Sequence, residues 1–371
     1  MKLFDCTQCG SRVFFENSSC EGCKSILGFS AEEQRMVAFA AGAAGTWLRL
    51  GEPGPAYRPC VNHAEGVCNW LVPVEREHQH CASCRTTHTI PALSKPENRS
   101  YWATLELAKR RLFHTLLEMR LPVPNKLEDP ENGLSFEFLE EISTKVRVLT
   151  GHDEGVITLN IAEADDARRE KIRLSMREPY RTVLGHFRHE IGHYYWDRLI
   201  RGTSWIDEYR TLFGNEEEDY AESLQRHYAN PRADWPLSHI SVYASSHSWE
   251  DWAETWAHYL HMVDGLDTAA AWGLQLQHAL PGGPSLTAQP LDPDNAAIGA
   301  AVIEQWLPVS QFINAMDRSL GSHDSYPFVV LEPVVAKLNF VHRVIHAARR
   351  GEVPMNFLSR AAPEMAVAVA A

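Results

Sequence analysis

All eight cysteines of this 371-residue chain lie within residues 6–84, and the 287 residues that follow contain none. That distribution constrains the fold more than any other feature of the sequence. Cys6-x2-Cys9 and Cys20-x2-Cys23 are two short knuckles with ten residues between them. Each knuckle lets two thiolates converge on one ion, and a tetrahedral zinc needs two such pairs. A redox dithiol would need only one. In a reducing compartment, cysteines clustered in this way point to metal rather than to disulfides. Residues Arg12–Asn17 between the knuckles read as a strand and a turn. So small a module buries little apolar surface, and zinc supplies much of its folding free energy.

The second cluster is less regular. Cys60-x7-Cys68 precedes Cys81-x2-Cys84, with His63, His78, His80 and His88 close by. The four cysteines suffice for a second structural zinc; a histidine in place of Cys60 or Cys68 is the alternative. Residues 89–93 then read as a terminal strand and 94–98 as a linker. The expected organisation is a tandem four-cysteine zinc-ribbon module over 1–97 and a second domain over 98–371.

Charge follows the same division. Residues 1–100 hold ten Lys/Arg and ten Asp/Glu, and the rest of the chain carries the whole net charge of −13. No basic stripe is available for a phosphate backbone, so nucleic acid is not an expected partner. The longest apolar run, 36–48, is shorter than the roughly 20 residues a bilayer requires, and no membrane span is expected. The opening residues MKLFDCTQCG lack the apolar stretch of a secretory signal. The expected location is the cytoplasm.

In the second domain, 101–120 carries apolar residues at helical spacing and is closed by Pro122 and Pro124. Phe136, Phe138 and 146–149 suggest strands, and Gly155–Ile161 is the clearest strand. Residues 163–178 read as a charged helix, and another runs from Pro179 to about Arg201. Residues 281–296 form a Pro/Gly-rich loop, 301–320 and 333–350 are amphipathic helices, and the tail from 361 frays. The fold class is α+β: a small mixed sheet with an edge strand over a helix, followed by a mostly helical C-terminal half.

On the helix after Pro179 stands His189-Glu190-Ile191-Gly192-His193, an H-E-x-x-H pattern. Histidines at i and i+4 lie on one helical face, so both imidazoles reach one metal ion, and Glu190 stands beside them as a general base. Catalytic zinc usually takes three protein ligands. A metzincin would need Gly and His where Trp196 and Leu199 stand, which excludes that class. The third ligand is sought in Trp249–Ala257, where Glu250, Ala253, Glu254 and Ala257 share a face and Trp249, Trp252 and Trp256 form an apolar stripe. Glu250 is the preferred ligand, with Glu254 accepting from a zinc histidine behind it. Glu254, Asp251, Asp207 and His247 remain alternatives for the ligand itself.

Tyr243 precedes Glu250 by seven residues. That spacing resembles the lethal-factor-like gluzincins, in which such a tyrosine donates to the developing oxyanion. Tyr243 is the first candidate for that role and His247 the second. As a whole, the chain resembles a family of bacterial zinc-binding metallopeptidases with an N-terminal zinc ribbon. The resemblance rests on CTQCG…CEGC, PCVNHAEGVCNWLVP, MREPYRTVLGHFRHEIGHYYWDRL and YASSHSWEDWAETWAHYLH, and it covers nearly the whole chain. It implies a gluzincin-type, zincin-like peptidase with His189, Glu190, His193 and the Glu250 region matched position by position. It implies no particular substrate. SprT-like proteases differ, because their ribbon follows the catalytic part.

Together these readings predict three zinc ions, one catalytic and two structural, and a peptide or protein substrate. That substrate would add to the edge of strand 155–161. The ribbons would be structural or would engage a protein partner. The competing expectation is a zinc-dependent scaffold whose H-E-x-x-H site is occluded or regulatory.

Overall fold

The computed structural model describes residues 3–43, 46–141, 148, 150–176, 178–277, 285–292, 295 and 297–352. The chain divides into two compact units, Met1–Phe187 and Arg188–Ala371. The architecture is α+β. Among the described residues no helix is long and apolar enough to cross a membrane.

The first unit begins with the cysteine-rich segment. β1 (Phe4–Asp5) pairs with β2 (Arg12–Val13), and β3 (Ile26–Ser30), β4 (Arg35–Ala41) and β5 (Trp47–Arg49) form an antiparallel meander. β6 (Tyr57–Pro59) and β7 (Leu71–Pro73) make a further antiparallel pair. Val37, Phe39, Tyr57 and Leu71 pack into one small core. Phe4, Phe15 and Phe29 surround the imidazole of His114 at ring distances of 5.2–6.0 Å. His114 belongs to α1 (Pro96–Glu118), so this helix completes the aromatic core of the cysteine-rich segment. The helix starts earlier than its apolar spacing suggests, because Pro96 is pre-set for the first turn.

A four-stranded sheet follows in the order β10-β11-β9-β8. β8 (Thr87–Thr89) and β11 (Val156–Asn160) each run parallel to β9 (Ser135–Leu139), and β10 (Gly151–Asp153) runs antiparallel to β11. This corrects the expectation of an edge strand at 155–161. Glu154 and Gly155, both at positive φ, fold 151–153 back onto that strand, so it lies inside the sheet. The edges are Thr87–Thr89 and Gly151–Asp153. α2 (Asp166–Met176) and α3 (Val183–Leu199) follow; Phe187 of α3 lies against Phe136 and Phe138 at 5.6 and 6.2 Å. The strand expected at 146–149 falls, Val148 apart, outside the described residues, as does the tail.

The second unit is mostly helical. The greater part of α3, from Arg188 on, belongs to it, with α4 (Ile206–Phe213), α5 (Tyr220–Ala229), α6 (Ser248–Ala271), α7 (Gly299–Ala301), α8 (Leu307–Ser319) and α9 (Glu332–Arg349). A π turn, Val302–Trp306, joins α7 to α8. Within the expected Pro/Gly-rich loop, β13 (Ser285–Thr287) pairs with β12 (Gln275–Gln277).

Of the tryptophan stripe of α6, Trp252 and Trp256 are buried and Trp249 is half-buried. Trp252 meets Tyr209, Phe213 and Phe340 at 5.7–6.1 Å, and Trp256 stacks on Tyr195 at 5.1 Å. α3 crosses α6 at Gly192. A Cβ there would stand 3.0 Å from the Cα of Ala253 and 3.2 Å from the Cβ of Trp256, and Trp252 Nε1 donates to the Gly192 carbonyl at 2.9 Å. Gly192→Ala should therefore push the two helices apart and cost about 1–3 kcal/mol, the usual range for overpacking. Denaturant unfolding measures this; a variant as stable as wild type contradicts so close a crossing.

Candidate metal centre

Among the described residues, three groups of side chains are spaced to hold a metal ion. Cys6, Cys9, Cys20 and Cys23 form the first, and Cys60, Cys68, Cys81 and Cys84 the second. Sulfurs at the corners of a zinc tetrahedron with Zn–S about 2.3 Å lie about 3.8 Å apart. The pairs Cys6–Cys23, Cys9–Cys20 and Cys68–Cys81 are each 3.7 Å apart. In the second group, backbone N–H groups of Trp70, Cys81 and Cys84 donate to the sulfurs of Cys68, Cys60 and Cys81 at 3.4 Å. Burial first, and then the neighbouring Cys60, Cys68 and Cys84 thiols, push the Cys81 thiol well above its ordinary range. A thiolate there needs a cation, which a metal supplies. None of the neighbouring histidines joins this group: His63 Nδ1 faces the Cys68 carbonyl, and His78 Nδ1 faces that of His80.

The third group is His189, His193 and Glu250, whose ligand atoms lie within 4.8 Å of one another. The helical period of α3 puts both Nε2 atoms on one side, 3.2 Å apart. The first turn of α6 brings Glu250 Oε2 to 2.9 Å from His189 Nε2 and 3.5 Å from His193 Nε2. Glu250 is 1% exposed, and its Oε2 has no hydrogen-bond partner. Two imidazole nitrogens and an unbonded buried carboxylate oxygen facing one point fit zinc in number and chemistry.

Supporting contacts fix this set. Glu254, one turn after Glu250, contacts His189 Nδ1 at 2.7 Å, leaving Nε2 for the metal. Ser241 donates to the other Glu254 oxygen at 2.7 Å. Tyr220 donates to Glu250 Oε1 at 2.7 Å. Burial disfavours charge throughout, but the close pairs outweigh it. Glu250 and Glu254 raise His189 well above its ordinary range, and the two histidines hold Glu250 well below the usual carboxylate range. Glu190 is 7% exposed, and burial raises its carboxyl above the ordinary value.

The other expected site residues fall as follows. Tyr243 lies with its ring 5.9 Å from that of His189. His247 caps α6: Nδ1 accepts from Trp249 N–H, and Nε2 stands 3.2 Å from the Glu218 carbonyl. Both of its nitrogens are thus engaged in holding backbone. Asp251 turns to Lys337 instead of the metal group, and Asp207 lies in the first turn of α4. Reasoning from sequence missed Tyr220 and Ser241. Asp219, accepting from Glu222 N–H, marks the start of α5 and so places Tyr220 at its first position, but no local signal aims that residue at Glu250.

A zinc-binding protein built around an H-E-x-x-H helix, with four-cysteine zinc modules before it, is the class that fold and site define. A family model described as "Putative zinc-binding metallo-peptidase" matches residues 98–344, and one described as a zinc-ribbon domain matches residues 3–95. The chain belongs to this metallopeptidase family. It is 42% identical over 347 residues to uncharacterised proteins of Mycobacterium bovis and of Mycobacterium tuberculosis, covering 93% of this chain and 95% of each relative. No solved structure matches it.

Proposed function

We propose that this chain is a zinc-dependent peptidase of gluzincin type, acting on peptide or protein substrates in a reducing, cytoplasmic setting. The observation that carries the reading is the convergence of His189 Nε2, His193 Nε2 and Glu250 Oε2 beside the buried Glu190. When bound there, zinc supplies Lewis-acid polarisation of a carbonyl and brings the acidity of water to about pH 7. Glu190 takes the proton from the attacking water and hands it to the leaving amine. Glu254 holds His189 in the tautomer that presents Nε2, and Tyr220 holds Glu250 by its other oxygen.

Tyr243 is the donor we assign to the developing oxyanion, since both nitrogens of His247 are engaged. Tyr243→Phe should keep all zinc and lose about 10²–10³ in turnover, the usual cost of one oxyanion donor. Tyr220→Phe should act on the metal instead, weakening zinc at this site by about 10–100-fold. Metal titration and steady-state kinetics on both variants separate the roles. Turnover of Tyr243→Phe within about threefold of wild type would remove Tyr243 from the mechanism.

A further inference from the structure

Lys337 of α9 is 4% exposed, and its ammonium lies 2.5 Å from Asp251 Oδ2. Asp251 is 1% exposed and directly follows the metal ligand Glu250 in α6. The same Nζ donates to the Ser238 carbonyl at 2.7 Å. Three residues on, Ser241 Oγ holds Glu254, which in turn contacts His189. One ammonium therefore grips both α6, which carries Glu250 and Glu254, and the segment whose Ser241 holds Glu254.

Docking of α9 does not require this pair. Val334, Leu338, Phe340 and Val341 are fully buried, and Phe340 packs on Trp252 and Phe213. A buried ion pair contributes little net stability compared with apolar residues of the same volume. What it provides is register: the ammonium has two acceptors at fixed distances, and sliding α6 against residues 238–241 would break one of them.

Resting on the zinc reading above, we propose that Lys337 is a positioning residue for the metal group. Through Asp251 and the Ser238 carbonyl it sets Glu250 and Glu254 in register and so determines zinc affinity at the H-E-x-x-H site. It touches neither metal nor substrate.

The test uses the full chain and zinc itself, with affinity at the third site read by competition with a chelator and folding read by thermal melting. Lys337→Met alone leaves Asp251 buried with only His239 beside it, at 3.7 Å, so the informative variant is the double Lys337→Met/Asp251→Leu, which removes both charges at similar volume. It should fold, keep the two cysteine-bound zincs, and bind the third about 10–100-fold more weakly, the range for losing a group that orients a ligand. Affinity within about threefold of wild type would overturn the proposal. Should the double variant fail to fold, Lys337→Arg decides in its place. It keeps the charge, but a planar guanidinium cannot offer one nitrogen to both acceptors in the same geometry. A tenfold or greater fall in zinc affinity then supports the clamp, and unchanged affinity overturns it. Because affinity is read instead of turnover, failure of the clamp leaves the peptidase reading standing. Absence of hydrolysis likewise leaves the clamp standing.

Discussion

Glu190→Gln protein is expected to bind as much zinc as wild type and to hydrolyse peptides about 10²–10⁴-fold more slowly, the range for losing a general base. The substitution preserves the size and one acceptor oxygen of the side chain and removes its capacity to take a proton. Glu190 is not one of the three residues whose ligand atoms converge, so the metal has no reason to leave. Its neighbours also remain fixed, because Glu254 holds His189 and Tyr220 holds Glu250 independently of it. A barrier increase of roughly 3–5 kcal/mol with unchanged zinc content is the signature of a base and of nothing structural. Elemental analysis and single-turnover kinetics on one preparation measure both quantities. If Glu190→Gln loses zinc as well, Glu190 belongs to the metal group and the base lies elsewhere.

Glu250→Ala should behave in the opposite way. Wild-type protein should carry three zinc ions, two on cysteine groups and one at the H-E-x-x-H site. Removing Glu250 deletes one of three protein ligands and leaves the Tyr220 hydroxyl without its carboxylate. The third zinc should be lost at ordinary concentrations while the cysteine-bound pair stays, so elemental analysis falls from about three to about two per chain. Glu254→Ala should only loosen the third zinc, by about 10–100-fold, because it removes the partner of His189 and no ligand. Should Glu254→Ala strip the metal and Glu250→Ala retain it, the two roles are reversed. A wild-type content near one zinc would remove both cysteine assignments.

What could be read directly from sequence was whatever a local period encodes. The CxxC knuckles and the i, i+4 histidines bring ligands together within one turn or one helical face, with no reference to the rest of the fold. Glu250 and Glu254 were legible for the same reason, as i and i+4 on a helix whose tryptophans marked its buried side. Gly192 was legible as a place of close approach. Residues that reach the site across the fold were not legible. Tyr220 meets Glu250 from 30 residues away and Lys337 meets Asp251 from 86. Such pairings depend on how helices dock, and no spacing in the chain records them. His247 drew attention as a histidine just before α6; its ring caps that helix. The strand at 156–160 misled because its neighbour has only three residues, too few to show a period of two.

We propose that peptides are hydrolysed at the His189–His193–Glu250 group. The most direct measurement incubates zinc-loaded wild type, and in parallel Glu190→Gln, with a diverse peptide library and reads new termini by mass spectrometry. New N-termini should appear with wild type, vanish on chelation, return with added zinc, and be absent with Glu190→Gln. No cleavage by protein carrying three zinc ions, or equal cleavage by the Glu190→Gln protein, would contradict it.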